Sequence, residues 1–401
     1  MEPAIYLAVV SRYHSYLNSS KQLLQLYNGE EPFPSFLKKY FSANKKFGSK
    51  DRKHIAHLCY SFFRPGRAAT NLDIEERILL GLFLCSESSN EILASLKPEW
   101  NENVSRTLKE KLLIINYSLL IPEVFPWKDE LSKGIDHEKF CGSFFIQPDL
   151  FIRVRPGKEK LTREKLRSAA IDFKNISDTC IALPNSSKID TVIEVDKEAI
   201  IQDRNSQETG RFLNLALASL DSDKPSVWDC CAASGGKSIL AYDINPNIGL
   251  TVSDVRESIL SNLRKRFERA GITNYNSFRI DLGAAISGIR HPKSEILIAD
   301  VPCTGSGTWS RTPEQLYFFD EKKIEEYSAL QKKIVSNVIP QLQRGGSFIY
   351  ITCSVFKKEN EDVITFIKEK FHLQLKQMEI LKGYDKKADS MFVAVLSLPE
   401  D

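Results

Sequence analysis

From about residue 206 onward the sequence alternates short apolar runs with amphipathic stretches, and the alternation stops only near the end. SVWDCCAA, LTVSDV, NSFRID, EILIAD and GGSFIYITCS are strand-like. GGKSILAYDI, RESILSNLRKRFERAG, DEKKIEEYSALQKKIVSNVIPQL and KENEDVITFIKEKF, which lie between or after them, are helix-like. Such alternation specifies a parallel sheet with helices on both faces. HLQLKQMEI and SMFVAVLSL then follow with no helix between them, and two such strands can pair as an antiparallel hairpin.

The remainder must fold separately, because 401 residues exceed what one core serves. Residues 1–140 carry i, i+3, i+4 apolar spacing in DRKHIAHLCYSFFR, NLDIEERILLGLFLC and RTLKEKLLIINYSLLI, which predicts a small helical bundle. Asn71 and Asp73 are candidate starts for the second of these helices. Residues 141–205 read as a small α/β subdomain: a strand over Leu150–Val154, a Pro-Gly turn, a helix opened by Thr162, then short strands. Residues 206–401 form the large α/β domain. The longest apolar run, Ile78–Cys85, is far too short to span a bilayer, and the N-terminus lacks the features of a secretion signal, so a cytoplasmic protein without membrane contact is expected. Eight cysteines include no C-x-x-C pair, so no metal site is expected. Cys59, Cys85, Cys141 and Cys180 read as packing residues. Net charge is only +3, but Lys38, Lys39, Lys45, Lys46, Lys50, Arg52 and Lys53 cluster against one acid, Asp51, with Tyr40, Phe41 and Phe47 interleaved. That stretch is either a solvated face or a patch that contacts phosphates.

In open α/β sheets, ligands sit beyond the carboxyl ends of the strands. After the first strand, ending near Asp229, comes DCCAASGGK, in which Gly235 and Gly236 allow close backbone approach and a helix start favours an anion. The spacing is not that of G-x-G-x-x-G. An amino-acid carboxylate, such as that of S-adenosylmethionine, therefore fits better than a pyrophosphate. Asp254 ends the second strand and can accept from ribose hydroxyls; Asp281 ends the third and can accept from an adenine amino group. The closing hairpin likewise favours the methyltransferase version of the fold over the dehydrogenase version.

The fourth and fifth strands end differently. EILIADVPCTGSG delivers Asp300 and Cys303, and YITCS delivers Cys353. In the expected sheet order these strands are neighbours, so both thiols should border one cleft. A thiol beside a methyl donor suits carbon 5 of cytosine: addition of sulfur to carbon 6 makes the ring an enamine that accepts a methyl group at carbon 5. A protonated Asp300 could assist at ring nitrogen 3, one thiol attacks, and the second assists release. Spacing does not say which thiol attacks. A helix starting near Lys358 is a candidate for lowering a thiol pKa.

DCCAASGGKS, DVRESILSNLRKR, RIDL, ADVPCTGSGTWSRTPE and YITCSVFKKENED resemble, in order, the motifs of the RsmB-like (Fmu/Sun/Nop2 type) RNA cytosine-5 methyltransferases. IIQDRNSQE and FIRVRPGKEKLTREKL resemble the family's upstream segment and small subdomain, and KKFGSKDRKHIAHLCYSFFR resembles its NusB-like helical domain. The resemblance implies a Rossmann-like class I methyltransferase domain that binds S-adenosyl-L-methionine. Cys231, Ala232, Ala233, Ser234, Gly235, Gly236, Lys237, Asp254, Arg256, Asp281 and Asp300 would border the cofactor. It also implies Cys353 as nucleophile, Cys303 as the residue that assists release and Asp300 as the contact to the base. Ser234 departs from a usual Pro, Val301 from a usual Ala, and CTGSG from a usual C-S-G-T-G. The expected activity is cytosine-C5 methylation of RNA by a monomer, with ribosomal RNA ahead of transfer RNA. The rivals are N-methylation of adenine, which leaves Cys353 idle, and a non-catalytic RNA-binding factor in ribosome assembly.

Overall fold

The structure, a computed structural model, describes residues 3–117, 120–284 and 293–399, with side chains from Arg12 onward. Two compact units emerge. The first takes in the chain up to Asp129, Asp136–Gln147 and Trp309–Asp320. It is helical, and its longer helices are Pro3–Leu26, Phe33–Ala43, Ser49–Phe63 and Ile74–Cys85. Asp73, rather than Asn71, caps the last of these by accepting from the backbone N–H groups of Glu75 and Glu76. Arg77 through Leu84 are all buried, so this helix forms the centre of the unit. The buried Arg77 guanidinium is satisfied by the carbonyls of Phe62, Gly66 and Ala68. In the basic stretch, Phe41 is buried, Tyr40 and Phe47 stack at 6.4 Å, and Arg52 lies over the Phe41 ring. The interleaved aromatics are therefore packing groups, whereas Lys45, Lys46, Lys50 and Lys53 are exposed.

The second unit holds two sheets. In the smaller one, β1 (Leu150–Val154) pairs antiparallel with β3 (Cys180–Leu183) and β4 (Ala199–Ile201), and β2 (Lys174–Asn175) extends the edge beside β3. The helix over this sheet starts at Glu159, one turn before the expected Thr162. Thr162 is fully buried inside the helix, so it faces the core and does not act as a cap.

The larger sheet contains β5 (Ser226–Asp229), β6 (Gly249–Asp254), β7 (Tyr275–Arg279), β8 (Ser294–Asp300), β9 (Leu342–Thr352), β10 (Gln374–Leu381) and β11 (Met391–Ser397). Its order is β10-β11-β9-β8-β5-β6-β7. Strands β5 to β9 are parallel, and β11 is antiparallel to both β9 and β10. Alternate side chains divide between two apolar layers. Val227, Ile298, Ile349 and Val393 face one; Trp228, Leu297, Phe348 and Phe392 face the other. Burial of each such chain contributes about 1.5–3 kcal/mol, and together they fix the register, because a slip by one residue would invert every strand. The order reverses at β5, whose neighbours are β6 and β8, so the crevice opens at the ends of β5 and β8.

Candidate active site

The chain leaves β5 at Asp229 and turns through Ala232–Gly235 into the helix Gly236–Ile244. Ala233 (φ 45°) and Gly235 (φ 85°) are left-handed, which folds the turn back tightly. A Cβ on Gly235 would lie 2.8 Å from the Phe267 ring, so this glycine answers to backbone angle and helix packing. Gly236 has open space where a Cβ would stand, as expected for a residue facing a ligand. The Ser234 carbonyl and hydroxyl accept from Arg266 at 2.8 and 3.0 Å, which anchors the turn without the usual proline.

Asp254 is buried at the end of β6. Its Oδ2 accepts from the Ala233 N–H at 3.1 Å and its Oδ1 from the Arg256 N–H at 2.9 Å and Arg256 Nε at 3.4 Å, so Oδ2 retains acceptor capacity. Arg256 is exposed. Asp281 is also exposed, and its Oδ1 accepts from the Gly283 N–H at 2.9 Å.

A pocket of about 310 Å³ opens at the strand ends. Of the residues singled out in the sequence, Cys231, Ala232, Ala233, Ser234, Gly236, Lys237, Asp300 and Cys353 line it; Gly235, Asp254, Arg256, Asp281 and Cys303 are not among its lining residues. Lys237 is buried, and its Nζ donates to Asp300 Oδ2 at 2.9 Å and to Ser206 Oγ at 2.8 Å. The ammonium is thus the donor in that pair. Two wall residues lacked a role in the sequence. Ser206 stands in the IIQDRNSQE segment, so the motif held the signal. Asp229 is fully buried; its Oδ2 accepts from Ser238 Oγ at 2.6 Å, and its Oδ1 makes no hydrogen bond among the described residues. Burial first, and then the nearby Asp300 charge, pushes its carboxyl up to about 7 against the opposing Ser238 hydrogen bond.

Strands β8 and β9 are adjacent, with Asp300 opposite Ile351. The loops beyond them bring Cys303 Sγ to 3.3 Å from Cys353 Sγ. The small residues of CTGSGT explain how. The Gly307 N–H donates to the Cys353 carbonyl at 2.8 Å, and a Cβ there would fall 2.0 Å from the Ser390 carbonyl oxygen. Ser306 Oγ accepts from the Val355 N–H at 2.9 Å, fastening one loop to the other. The Cys303 thiol is raised well above its ordinary value by its hydrogen bond to the Cys353 sulfur, then by burial and by the charges of Cys353 and Glu359. Beyond β9 a 3-10 turn over Lys357–Glu359 leads into the α-helix Glu361–Phe371, so a helix start lies close to the expected position near Lys358.

A seven-stranded sheet in this order, closed by an antiparallel hairpin and carrying a pocket at its reversal point, defines a class I methyltransferase fold. Residues 215–399 match the family described as 16S rRNA methyltransferase RsmB/F. It is 25% identical over 238 residues to the probable ribosomal RNA small subunit methyltransferase B of Bacillus subtilis, covering 58% of this chain and 52% of that protein. It is 28% identical over 171 residues to ribosomal RNA small subunit methyltransferase F of Escherichia coli, covering 41% of this chain and 35% of that protein. The match thus spans about half the length of the first relative and about a third of the second. Among solved structures, PH0851 superposes with a TM-score of 0.66 at 19% identity, over 94% of this chain and 96% of that one. NSun6 from Pyrococcus horikoshii with SFG superposes at 0.56 and 15% identity, over 66% and 94%. At these identities the structural likenesses establish the fold.

Proposed function

We propose that this chain is an S-adenosylmethionine-dependent methyltransferase that forms 5-methylcytosine in RNA, with ribosomal RNA ahead of transfer RNA. The observation that carries the reading is the pair of sulfurs 3.3 Å apart at the ends of adjacent strands, with Cys353 in the wall of the pocket that holds Lys237 and Asp300. Amino-group methylation of adenine would leave that pair without a task. The names of the bacterial relatives support ribosomal RNA as the substrate class.

The pocket suits the donor. S-adenosylmethionine carries an ammonium and a sulfonium, and the unsatisfied Oδ1 of Asp229 is an acceptor suited to a cation. The spare acceptor capacity of Asp254 suits a ribose. When bound, the donor supplies an electrophilic methyl group. Cys353 then adds to carbon 6 of an unstacked cytosine, and the displaced π electrons make carbon 5 nucleophilic. Lys237 and Asp300 offer a donor and an acceptor to the polar edge of the ring. Cys303, its thiol raised, holds its proton beside the Cys353 sulfur. After methylation a solvent base takes the carbon 5 proton, its electrons re-form the 5,6 double bond, and the Cys353 sulfur leaves carbon 6 with Cys303 assisting. The exposed lysines of the helical unit contact RNA phosphates.

Tritiated methyl transfer to RNA tests this. Wild type labels cytosine, Cys353→Ala transfers nothing, and Cys303→Ala accumulates a covalent protein–RNA adduct. Undiminished transfer by Cys353→Ala would remove the assigned nucleophile.

A further inference from the structure

This chemistry leaves the buried acid Glu359 without a task. Glu359 lies just beyond β9 in the second unit and is fully buried. Its Oε1 accepts from Thr304 Oγ1 at 2.6 Å and from Ser354 Oγ at 2.5 Å. Its Oε2 accepts from the Thr304 N–H and from Gln331 Nε2, both at 2.9 Å. Four donors converge on one carboxylate, and no lysine or arginine forms an ion pair with it among the described residues.

The identity of those donors matters. Thr304 directly follows Cys303, and Ser354 directly follows Cys353. Gln331 also donates to the carbonyl of Pro302, the residue before Cys303, at 3.0 Å. The neighbouring Asn360 completes the frame around Cys353: its Nδ2 donates to the Ser354 carbonyl at 2.9 Å and its Oδ1 accepts from Thr352 Oγ1 at 2.6 Å. One carboxylate thus joins the loops that carry the two sulfurs.

We propose that Glu359 is a positioning residue of the sulfur pair: its reach holds Cys303 against Cys353, and its buried carboxylate beside Cys303 makes that thiol the less reactive of the two. The two effects need different properties of the side chain. Holding the loops needs the length of glutamate, since both hydroxyls and both nitrogen donors must be met at once. Slowing Cys303 needs the negative charge, which burial opposes and the hydrogen bonds from Ser354, Thr304 and Gln331 favour. The other titratable groups around Cys303 are Cys353, Tyr327 on the helix Lys322–Val338 and Tyr350 on β9. Neither tyrosine supplies a cation to offset the carboxylate. The role rests on the proposed cytosine chemistry, but the state of the sulfurs can be measured without it.

Iodoacetamide alkylation, mapped by peptide mass spectrometry in the absence of RNA, reads each thiol separately. In the wild-type protein at pH 7.5, Cys303 reacts about tenfold more slowly than Cys353. Glu359→Gln keeps the size and can still accept from the two nitrogen donors, but it removes the charge; Cys303 then reacts about tenfold faster than in wild type. Glu359→Asp keeps the charge and shortens the reach. Cys303 stays slow, while single-turnover methyl transfer falls about tenfold with S-adenosylhomocysteine affinity unchanged. A folded Glu359→Gln protein with unaltered Cys303 alkylation overturns the proposal, as do equal rates for the two thiols in wild type should that variant not fold. If the alkylation pattern holds but no RNA is methylated, the proposed function fails and the role of Glu359 stands.

Discussion

Replacement of Asp229 by asparagine should change how the stability of the second unit depends on pH. The carboxyl is fully buried, and its pKa moves from 3.8 to about 7. A carboxyl raised in this way favours the folded state only while protonated. Its contribution is complete below pH 3.8 and is lost as the pH rises towards 7. A rise of about three units is worth at most roughly 4 kcal/mol, of which roughly 2–3 kcal/mol falls between pH 5 and 8. Asp229→Asn keeps the acceptor for Ser238 and cannot ionise. Urea unfolding of both proteins at pH 5, 6, 7 and 8, without ligand, should therefore show wild type losing stability relative to the variant across that range and levelling off above about 7. The other raised acids, Glu314 and Glu359, are common to both proteins and cancel in the difference. The variant should also bind S-adenosylmethionine more weakly, because it gives up the acceptor proposed for the cationic end. Stability curves that run parallel from pH 5 to 8 would refute the burial argument, since a solvated Asp229 would already be ionised throughout.

Two further outcomes follow from the loops and the basic stretch. Gly307→Ala places a methyl group 2.0 Å from the Ser390 carbonyl oxygen, so thermal melting should show a loss of about 1–3 kcal/mol and methyl transfer should fall as Cys353 is displaced; a change under about 0.5 kcal/mol would mean that the loop yields easily. Charge reversal at the exposed Lys45, Lys46, Lys50 and Lys53 should weaken RNA binding for every sequence and flatten its dependence on salt by roughly 0.7–0.9 for each phosphate no longer neutralised; an unchanged slope in a filter-binding titration would make this stretch a solvated face.

The large sheet was legible because its determinants are local. The strands are short, mostly apolar runs, buried on both faces where they are central, and the absence of a helix between the last two runs marks the antiparallel hairpin. The two sulfurs were legible for the same reason, since neighbouring parallel strands deliver the residues beyond their carboxyl ends to one place. What the chain hid depends on what covers a residue rather than on what adjoins it. An acid at a strand end is solvated by default; Asp229 is not, because the helix that follows covers it and presents Ser238. Asp254 looks like an open ribose acceptor, yet two backbone N–H groups already occupy part of it. Thr162 has the chemistry of a cap and the position of a core residue.

The ADVPCTGSGTWSRTPE motif shows this most sharply, because its continuity along the chain conceals a division in space. Its first half holds Cys303 against Cys353 in the large unit, while Trp309–Asp320 packs with the helices, where Tyr317 meets Phe62 and Phe63 at 5.2 and 5.6 Å. Glu359 is the converse case. It lies well over a turn of chain beyond Cys353, in a run of charged residues that reads as solvent-facing, and nothing nearby in sequence announces four donors. Those donors come from three separate segments, Thr304, Gln331 and Ser354, which meet only once the sheet and its covering helix have formed. The adjacency of the sulfurs is therefore a property of strand order, readable in one dimension. Their inequivalence comes from hydrogen bonding, burial and a buried charge that meet only in three.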